Sequence, residues 1–410
     1  MSEAAEAAVP APVDAVGAAA PVRPLRVLHV ITRMIVGGAQ ENTMLSCALI
    51  DRARFPSDLL CGPQTGSEGE LHSETRARGV TLHIEPSLLR QISPLDDLLA
   101  TWRLYRFIRR GHYDVVHLHS SKAGIVGRLA ARMAGVPVVV HTAHGWPFTR
   151  QQSKIGRLLD VTLERMCAPL CDALVVVAEP DRVDGLRLGI GHPGQYRLIR
   201  SGIEVDAYAD VTLTREESRR RIGVPAEAFV FGTVGRLGPQ KAPLDLLAAF
   251  ERVAAARPET HLVYVGDGPQ RGEVEARVAA AGLTGRVHLL GLRREVPEIQ
   301  RAFDAFVLAS RWEGLPRVFP QAMAAALPIV ATRVAGAPDA ITPDVTGWMV
   351  AVGDTDDLAR RMQALAEDPA LARRMGAAGR ARVGEFSARR MVEQLEDLYA
   401  ELAAQRNSGA

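Results

Sequence analysis

Residues 303–330, in the last third of the chain, show a clear succession of local structural signals. Residues 303–308 (FDAFVL) are a short apolar run typical of a buried parallel strand. A loop at 310–316 contains glycine and proline, and the Ala-rich segment 317–326 favours a helix that lies close against a sheet. A further apolar segment ends the stretch. This succession of strand, loop, helix and strand predicts one unit of a parallel sheet.

The loop of this stretch has the composition of a ligand site. Because the helix begins directly after a strand, its first backbone N–H groups and its dipole favour a bound anion. Glu313 and Gln321 carry side chains that can hydrogen-bond a polyol or a ribose at the same place. The stretch therefore indicates a site for a sugar attached to a phosphate.

Alternation of strands and helices fills both halves of the chain. Residues 26–32 (RVLHVIT) are the first apolar strand, and strands alternate with helices from there to residue 199. After a polar, charged boundary the apolar periodicity restarts at Ala228, and the alternation repeats. The pattern predicts an α/β fold with parallel sheets, and 410 residues suffice for two domains. Ligands of such sheets bind at the carboxyl ends of the strands.

Composition excludes several functional classes. A hydrophobic content of 47% with 23% charged residues is typical of a soluble globular protein, and a net charge of +2 argues against a nucleic-acid binder. Residues 1–24, rich in Ala, Pro and Val, lack the basic start and apolar core of a secretory signal, so they predict a disordered tail. No window approaches the ~20 apolar residues of a membrane span. We therefore expect a cytoplasmic protein.

The sequence predicts no metal site. The cysteines include no Cys-x-x-Cys pair and indicate buried, reduced thiols; they are Cys47, Cys61, Cys167 and Cys171. Four histidines in the first half have no carboxylate at ligand spacing; they are His117, His119, His141 and His144. Asp354 and Asp356 have the Asp-x-Asp spacing of a metal chelate, but they precede a helical period and indicate a helix N-cap. We expect no required metal or other cofactor.

A cationic loop follows the first strand of the second half. Residues 235–238 (GRLG) and Lys241 come just before a predicted helix, 243–256. Arg236 can donate to two oxygens at once, Lys241 adds a mobile point charge, and the helix N-terminus adds its dipole. This loop predicts a diphosphate site.

Two glycine pairs also follow strands. Gly37 and Gly38 come after the first strand of the chain, where adjacent glycines let a backbone approach a ligand closely. Gly266 and Gly268 follow a later strand, but the third glycine, Gly272, falls one place late for a GxGxxG turn. We do not expect an NAD(P) enzyme.

Taken with their neighbours, these residues resemble a known family. Glu313 and Gln321, within SRWEGLPRVFPQAMAAALPIVA (310–331), are similar to the signature of glycosyltransferase family 4, whose members have the GT-B fold. Three further segments match in the family's order: IVGGAQ (35–40), TVGRLG (233–238) with Lys241, and VGDGP (265–269). The likeness covers roughly residues 25–400. Two positions depart, because the family usually carries a second glutamate at Gln321 and a glycine at Ala242.

The resemblance implies a domain organisation. A GT-B protein has two Rossmann-like domains whose parallel sheets face a central cleft. Residues 25–203 would form an acceptor-side domain and 204–385 a domain that binds the nucleotide sugar. Residues 386–410 would form a C-terminal helix that crosses back to the first domain.

The resemblance also implies the activity. It predicts transfer of a sugar, with retention of anomeric configuration, from a nucleoside-diphosphate sugar to a glycan, lipid-linked or small-molecule acceptor, with a UDP-sugar as the preferred donor. The N-terminal stretch HVITRMIVGGAQEN is similar to those of bacterial exopolysaccharide and cell-surface glycan enzymes, which favours a lipid-linked or oligosaccharide acceptor. Two alternatives stay open: a non-catalytic nucleotide-sugar-binding homologue, and a sugar-nucleotide epimerase on the same fold.

The family's site residues map onto this chain. Glu313 and His144 would flank the transferred sugar, while Arg236 and Lys241 would bind the departing diphosphate; these four are the predicted catalytic residues. The other predicted donor-side residues are Gly37, Gly38, Gly266, Gly268, Leu292, Arg293, Gly314, Leu315 and Gln321. The predicted acceptor-side residues are Ser120, Ser121 and Lys122. Gln321 keeps an acceptor oxygen but loses charge, so we expect weakened or retuned nucleotide binding and a working enzyme.

One predicted helix, 95–110, raises the question of a membrane. Its aromatic residues interleave with arginines; they are Trp102, Tyr105 and Phe107 with Arg103, Arg106, Arg109 and Arg110. A helix that covers a sheet and has a solvated basic edge is the favoured interpretation. Because the acceptor of many such enzymes is lipid-linked, peripheral contact with the inner face of an anionic membrane stays a hypothesis.

Overall fold

The computed structural model describes residues 23–64, 69–146, 148 and 152–408. The predicted disordered tail lies outside the described residues up to residue 22. The strands of the first sheet are β1 (Val27–Ile31), β2 (Ser57–Cys61), β3 (Thr81–Ile84), β4 (Val115–His119), β5 (Val138–Ala143), β6 (Ala173–Val176) and β7 (Tyr196–Leu198). They pair in parallel in the order β3-β2-β1-β4-β5-β6-β7. The helices between them are α1 (Gly38–Leu49), α2 (His72–Ala77), α3 (Pro94–Gly111), α4 (Ser121–Met133), α5 (Lys154–Cys167) and α6 (Glu179–Arg187).

A second parallel sheet follows in the chain. Its strands are β8 (Phe229–Val234), β9 (Thr260–Val265), β10 (Val287–Leu289), β11 (Ala305–Leu308), β12 (Ile329–Thr332) and β13 (Gly347–Val350), in the order β10-β9-β8-β11-β12-β13. The later helices are α7 (Val205–Ala209), α8 (Arg215–Arg221), α9 (Pro243–Ala256), α10 (Arg271–Ala280), α11 (Val296–Gln300), α12 (Val318–Ala324), α13 (Ala337–Ala340), α14 (Thr355–Glu367), α15 (Pro369–Arg382) and α16 (Ala388–Ser408). Short 3₁₀ turns lie at Ala168–Leu170, Pro193–Gln195 and Val383–Phe386.

The central strands explain why the apolar runs are continuous. All residues of β1, β4 and β5 are buried, because helices cover both faces of the sheet. The two sheets have separate apolar cores on each of their faces. The prediction of two parallel α/β domains is confirmed.

The last helix, α16, packs on the first sheet although it follows the second in sequence. Its buried residues include Met391, Leu395 and Tyr399, which join a core with strand residues such as Val27 and Val140. A parallel β-bridge between Ile203 and Ser387 joins the segment that leads into the second sheet to the segment that leads into α16. The helix therefore ties the end of the chain to its first sheet.

Some element bounds differ from the predicted ones. The segment predicted as a helix over 317–326 is helical only in α12, because Ala325 ends the helix and Ala326 has a left-handed backbone, with φ at 55°. The predicted N-cap at Asp354 is confirmed, since its carboxylate accepts a hydrogen bond from the backbone N–H of Asp357 at 2.9 Å. The four cysteines are all buried and free, as predicted.

The carboxyl ends of the two sheets face each other. Loops and helix starts that follow β1, β2 and β5 of the first sheet contact segments that follow β10 and β11 of the second. Among the described residues, no helix combines the length and apolar character needed to cross a bilayer.

Candidate functional site

The two domains meet at His144 and Gly314. A Cβ atom on Gly314 would lie 3.0 Å from the backbone oxygen of His144 and 3.1 Å from the Cα of Gly145. A larger residue than glycine at position 314 would therefore push the two loops apart. Leu315, the next residue, is buried, and its backbone packs against Gly336.

Glu313, just before this contact, is paired with a lysine. Its Oε1 accepts hydrogen bonds from Ser310 Oγ at 2.9 Å and from Lys241 Nζ at 2.6 Å. The Glu313 and Lys241 side chains are only 12% and 21% exposed, so the pair is shielded from bulk water. Two predicted catalytic residues therefore contact each other directly. A diphosphate at Lys241 would compete with this carboxylate for the ammonium group.

Arg236 and Lys241 flank the same loop after β8. Arg236 is exposed at the rim, and the Lys241 side chain packs along Gly235, whose φ of 156° favours glycine. Ala242 follows with a left-handed backbone, φ 46° and ψ 56°, at the N-cap of α9. The replacement of the family's glycine by Ala242 therefore strains the backbone, an effect that the sequence alone did not show.

Gly266 and Gly268 are required by packing. A Cβ on Gly266 would lie 2.1 Å from the backbone oxygen of Gly235, and one on Gly268 would lie 2.4 Å from that of Leu237. These glycines let the loop after β9 press directly against the loop that carries Arg236. Their predicted contact with a nucleotide is not needed to explain them.

The remaining predicted donor-side residues, Leu292, Arg293 and Gln321, lie in the second domain. Leu292 is 49% exposed, and Arg293 donates to the backbone oxygen of Leu290 and to Glu295. Gln321 is buried in α12, one helical turn after Arg317, whose backbone oxygen accepts from the Gln321 N–H. All three follow strands of the second sheet at their carboxyl ends.

Arg317 links the two domains and was not among the predicted site residues. Its guanidinium pairs with Glu41 in α1 and donates twice to the backbone oxygen of Gly202, at 3.0 and 3.3 Å. Its aliphatic stem lies 3.4 Å from the position of a Cβ on Gly38. Gly38 therefore packs against this arginine, whereas a Cβ on Gly37 would lie 2.8 Å from Oε1 of Gln40. The signal available in the sequence was an arginine directly after the loop that contains Glu313.

The predicted acceptor-side residues surround the start of α4. Ser120 has a positive φ of 66°, and its Oγ lies 2.7 Å from Thr32 Oγ1 at the end of β1. Lys122 forms an ion pair with Asp97 and donates to the backbone oxygen of Gln91. Its charge is therefore already used within the first domain. Ser121, half-buried, begins the helix.

Comparison with known proteins agrees with this geometry. Residues 37–200 match the Glycosyl transferase 4-like domain, and residues 214–382 match Glycosyl transferases group 1. The D-inositol 3-phosphate glycosyltransferase of Saccharomonospora viridis is 30% identical over an alignment of 322 residues, which covers 74% of this chain and 73% of that protein. The chain belongs to glycosyltransferase family 4.

Other relatives match over nearly the whole length of this glycosyltransferase. The UDP-Gal:alpha-D-GlcNAc-diphosphoundecaprenol alpha-1,3-galactosyltransferase of Escherichia coli is 29% identical over 385 residues, 93% of this chain and 98% of that protein. The structure of Anabaena HepE in complex with UDP and glucose has a TM-score of 0.80 at 20% identity, covering 92% of this chain and all of that one. WaaG, a glycosyltransferase of lipopolysaccharide biosynthesis, has a TM-score of 0.72 at 15% identity, covering 91% and 99%. The predicted GT-B fold is confirmed.

A cluster of histidines lies under the cleft of this glycosyltransferase. His29 in β1, which sequence reasoning missed, lies 3.0 Å from His119 through its Nδ1, and His119 Nδ1 lies 3.1 Å from His144 Nε2. His117 instead bonds outside this row, to the hydroxyls of Thr142 and Tyr399. The ring of His141 lies against Gly124 of α4. Neighbouring parallel strands bring these residues side by side.

The cluster bears on the predicted absence of a metal. The nitrogens of His29, His117 and His119 lie within 4.8 Å of one another, a spacing that can hold an ion, and zinc does not need a carboxylate ligand. However, both nitrogens of His117 and of His119 take part in hydrogen bonds, which an ion would have to break. That no metal is required stays a prediction. This prediction, which was based on the sequence, did not consider His29.

Burial keeps the histidines neutral. It lowers the pKa of His29 to about 3, and burial with the nearby Arg317 charge lowers the pKa of His144 to about 4. Burial, followed by neighbouring histidine charges, also lowers the pKa of His117 and His119. Each imidazole therefore has one N–H donor and one acceptor nitrogen at neutral pH.

Proposed function

We propose that this glycosyltransferase moves a sugar from a UDP-sugar to a lipid-linked acceptor, with retention and without a metal ion. The observation that carries the proposal is the Lys241–Glu313 pair, which lies at the strand ends of the second sheet, opposite His144 of the first. The named activity of the galactosyltransferase relative and the solved UDP complexes support the choice of UDP. The same relative, which acts on a diphosphoundecaprenol-linked sugar, supports a lipid-linked acceptor.

The charges of the site suit departure of a diphosphate. Breaking the bond between sugar and diphosphate builds negative charge on the leaving group and positive charge on the sugar. Arg236 and Lys241 are pre-placed to stabilise the leaving group, while the Glu313 carboxylate stabilises the sugar. Lys241 would exchange its ion pair with Glu313 for one with the diphosphate. The carboxylate would then be free for the sugar hydroxyls.

Closure between the domains would hold donor and acceptor in reacting geometry and exclude water. His144 and Gly314 already touch across the cleft, and Arg317 with Glu41 forms a second contact behind them. Two cationic side chains on the diphosphate supply the charge that a divalent ion supplies in other transferases. This is the physical reason for proposing a metal-independent enzyme.

A transfer assay tests the proposal against its alternatives. The protein is incubated in EDTA with UDP-galactose, UDP-glucose or UDP-N-acetylglucosamine and a short-chain lipid diphosphate sugar, and the products are identified by mass spectrometry and NMR. We expect one donor to give a glycosylated lipid with an α linkage. An epimerised nucleotide sugar would show the epimerase instead, and binding without any product would show a non-catalytic homologue. A β linkage would contradict retention.

We also propose that the enzyme contacts an anionic membrane through the outer surface of α3, α4 and α5. These helices lie side by side, with α4 in the middle. Large apolar side chains stand exposed at helical spacing on each; they are Leu95, Leu98, Leu99 and Trp102 of α3, Leu129 and Met133 of α4, and Ile155, Leu158, Leu159 and Met166 of α5. Leu95 and Ile155 are more than four-fifths exposed, at 81% and 83%. An apolar surface of this extent marks a site of interaction.

The charges around this surface favour a lipid bilayer. The structure describes all three helices completely, and their exposed charged residues are all basic: Arg106, Arg109, Arg110, Lys154 and Arg165. Such a combination of apolar and basic side chains suits the interface of an anionic membrane. The first turns of α3 and α5 lie at the cleft side of the domain, because helices of a parallel sheet begin at the strand ends. A bound membrane would therefore present its lipid-linked sugars beside the cleft.

Vesicle binding tests the surface separately from activity. We expect the protein to sediment with vesicles that contain phosphatidylglycerol at low salt, and the double variant Leu98→Glu, Trp102→Glu to lose at least tenfold in affinity. Val352→Glu, a similar change at an exposed valine of the second domain, is the matched control and should bind normally. Equal binding by all three proteins, or no binding by any, would refute the surface.

A further inference from the structure

Three histidines form a continuous row from the core of the first domain to the cleft. His29 lies 3.0 Å from His119, and His119 lies 3.1 Å from His144, each distance joining one ring nitrogen to another. His29 and His119 are fully buried, while His144 is partly exposed at the contact with Gly314. The row thus ends on the histidine that faces the predicted position of the transferred sugar.

The row has a direction because each neutral imidazole donates one hydrogen bond and accepts one. In the inward direction, His144 donates to His119 and His119 donates to His29. His29 Nε2 would then carry a buried N–H, and the structure gives this atom no partner among the described residues. In the outward direction the same atom carries only a lone pair. Among buried backbone groups, an orphaned N–H is rarer than an unsatisfied acceptor. We apply the same ranking to the imidazole, which favours the outward direction.

We propose that His29 and His119 are positioning residues that hold His144 as its Nδ1–H tautomer, so that this N–H donates into the cleft to the transferred sugar. In this arrangement, His29 Nδ1–H donates to His119 Nε2, and His119 Nδ1–H donates to His144 Nε2. The His144 Nε2 lone pair is occupied, so the proton of the ring must lie on Nδ1. A sugar hydroxyl there meets a fixed donor. The proposal rests on the proposed function for the identity of the ligand, but not for the state of His144.

The low pKa values of the row keep its rings neutral, as the proposed arrangement requires. Burial lowers the pKa of His29 to about 3 and, with the Arg317 charge, that of His144 to about 4. None of the three rings therefore carries a second proton at neutral pH, and the tautomer is set by hydrogen bonds alone. His117 is the natural control, since it is equally buried and its ring centroid lies 4.3 Å from that of His119, yet it bonds to Thr142 and Tyr399.

The tautomer can be measured without any activity. Long-range proton–nitrogen correlation spectra of protein labelled with ¹⁵N-histidine distinguish protonated from unprotonated ring nitrogens, and His144→Gln assigns the signal. We expect His144 to be protonated on Nδ1 at pH 7, and to become a mixture of tautomers in His119→Phe. A wild-type His144 protonated on Nε2, or a tautomer unchanged in His119→Phe, would overturn the proposal. This result stands even if the protein transfers no sugar, in which case only the proposed function fails.

A double-mutant cycle on transfer gives the second test, with all assays in EDTA so that a metal on these histidines does not contribute. We expect His119→Phe and His29→Phe each to lower the transfer rate about three- to tenfold, the worth of one hydrogen bond, with unchanged affinity for UDP. In a His144→Ala background the same changes should have less than about a twofold effect. His117→Phe should lower the melting temperature, but its effect on transfer should be the same in both backgrounds. Equal effects of His119→Phe with and without His144 would show a merely structural role.

Discussion

Replacing Glu313 by glutamine should change UDP binding and sugar transfer in opposite directions. The Glu313 carboxylate holds Lys241 Nζ at 2.6 Å, in a pair whose side chains are 12% and 21% exposed. At an effective dielectric constant of about 20, the Coulomb attraction at this separation is roughly 6 kcal/mol, most of which is offset by desolvation and lost side-chain entropy. We take the net worth of the pair as about 1 kcal/mol. The glutamine side chain would keep an oxygen for the hydrogen bond from Ser310, so the loop should stay folded.

Two opposite effects follow from this one change. UDP no longer competes with a carboxylate for Lys241, so its dissociation constant should fall about fivefold. Transfer should nevertheless fall about 10²- to 10³-fold, because the positive charge that develops on the sugar loses its carboxylate. Calorimetry with UDP and a transfer assay with the preferred donor measure the two quantities on the same preparation.

The control makes the same type of substitution, glutamate to glutamine, at an ion pair outside the cleft. Glu251 pairs with Arg277 at 2.6 Å between α9 and α10, so Glu251→Gln removes a similar ion pair from the outside of the second sheet. It should leave both UDP affinity and transfer unchanged. If Glu313→Gln instead weakens UDP binding and transfer by the same factor, Glu313 binds the nucleotide and our assignment to the sugar is refuted.

Three further changes test other parts of the structure. Burial, with Asp184 and Asp339 nearby, raises the pKa of Asp181 to about 7. Between about pH 4 and 7 the native state therefore holds a proton that the unfolded chain releases. The free energy of unfolding should fall as pH rises through this range. Asp181→Asn should remove this fall and raise the free energy of unfolding at pH 8 by roughly 2–4 kcal/mol, measured by urea denaturation. Gly266→Ala should lower the free energy of unfolding by about 3 kcal/mol or more, because its Cβ would lie 2.1 Å from a backbone oxygen. Gln321→Glu should tighten UDP binding about fivefold in calorimetry, by restoring a charged acceptor for the ribose hydroxyls.

For each of these three predictions, one result would contradict it. A parallel pH dependence of wild type and Asp181→Asn would show that this carboxyl titrates normally. Gly272→Ala, in α10, is the matched control for Gly266→Ala and should be neutral or slightly stabilising, because no atom of the described residues lies within 4 Å of its Cβ position. Equal stability of the two alanine variants would mean that the two loops do not pack as described. Unchanged or weaker UDP binding by Gln321→Glu would place the ribose elsewhere.

The fold was accessible from the sequence because it depends on periodicity. Apolar runs alternate with helical segments in both halves, and strands buried on both faces must be apolar throughout. Helix ends were less accessible. The segment predicted as one helix from residue 317 is helical only from Val318 to Ala324, because its Ala-rich composition favours a helix but does not show where tertiary contacts bend the chain.

The site residues that were predicted best are those that belong to a motif within a single loop. Glu313 and Lys241 were proposed from separate loops, and the structure places them 2.6 Å apart. Contacts between distant loops were missed. Arg317 reaches Glu41 and Gly202 across the domains, and His29 joins a row with His119 because β1 and β4 are neighbours in the sheet. Such pairings depend on strand order, which one sequence does not contain.

The exposed apolar surface was only partly anticipated. The sequence singled out one aromatic and basic helix, which is α3. The full exposed surface also includes α4 and α5, which lie beside it. Each helix alone has the apolar stripe that normally faces a core, and only the packing shows which stripe is left outside. The left-handed backbone at Ala242 was hidden for a similar reason, since backbone angles at a loop depend on its neighbours.

Nucleotide-dependent thermal stabilisation would show whether Arg236 and Lys241 form a metal-independent site for UDP. Melting temperatures are measured with UDP, GDP and ADP, with and without EDTA, for the natural protein and for Arg236→Ala. We predict that UDP stabilises the natural protein, that EDTA leaves this effect unchanged, and that Arg236→Ala removes it. Stabilisation that disappears in EDTA, or that persists in Arg236→Ala, would contradict the account.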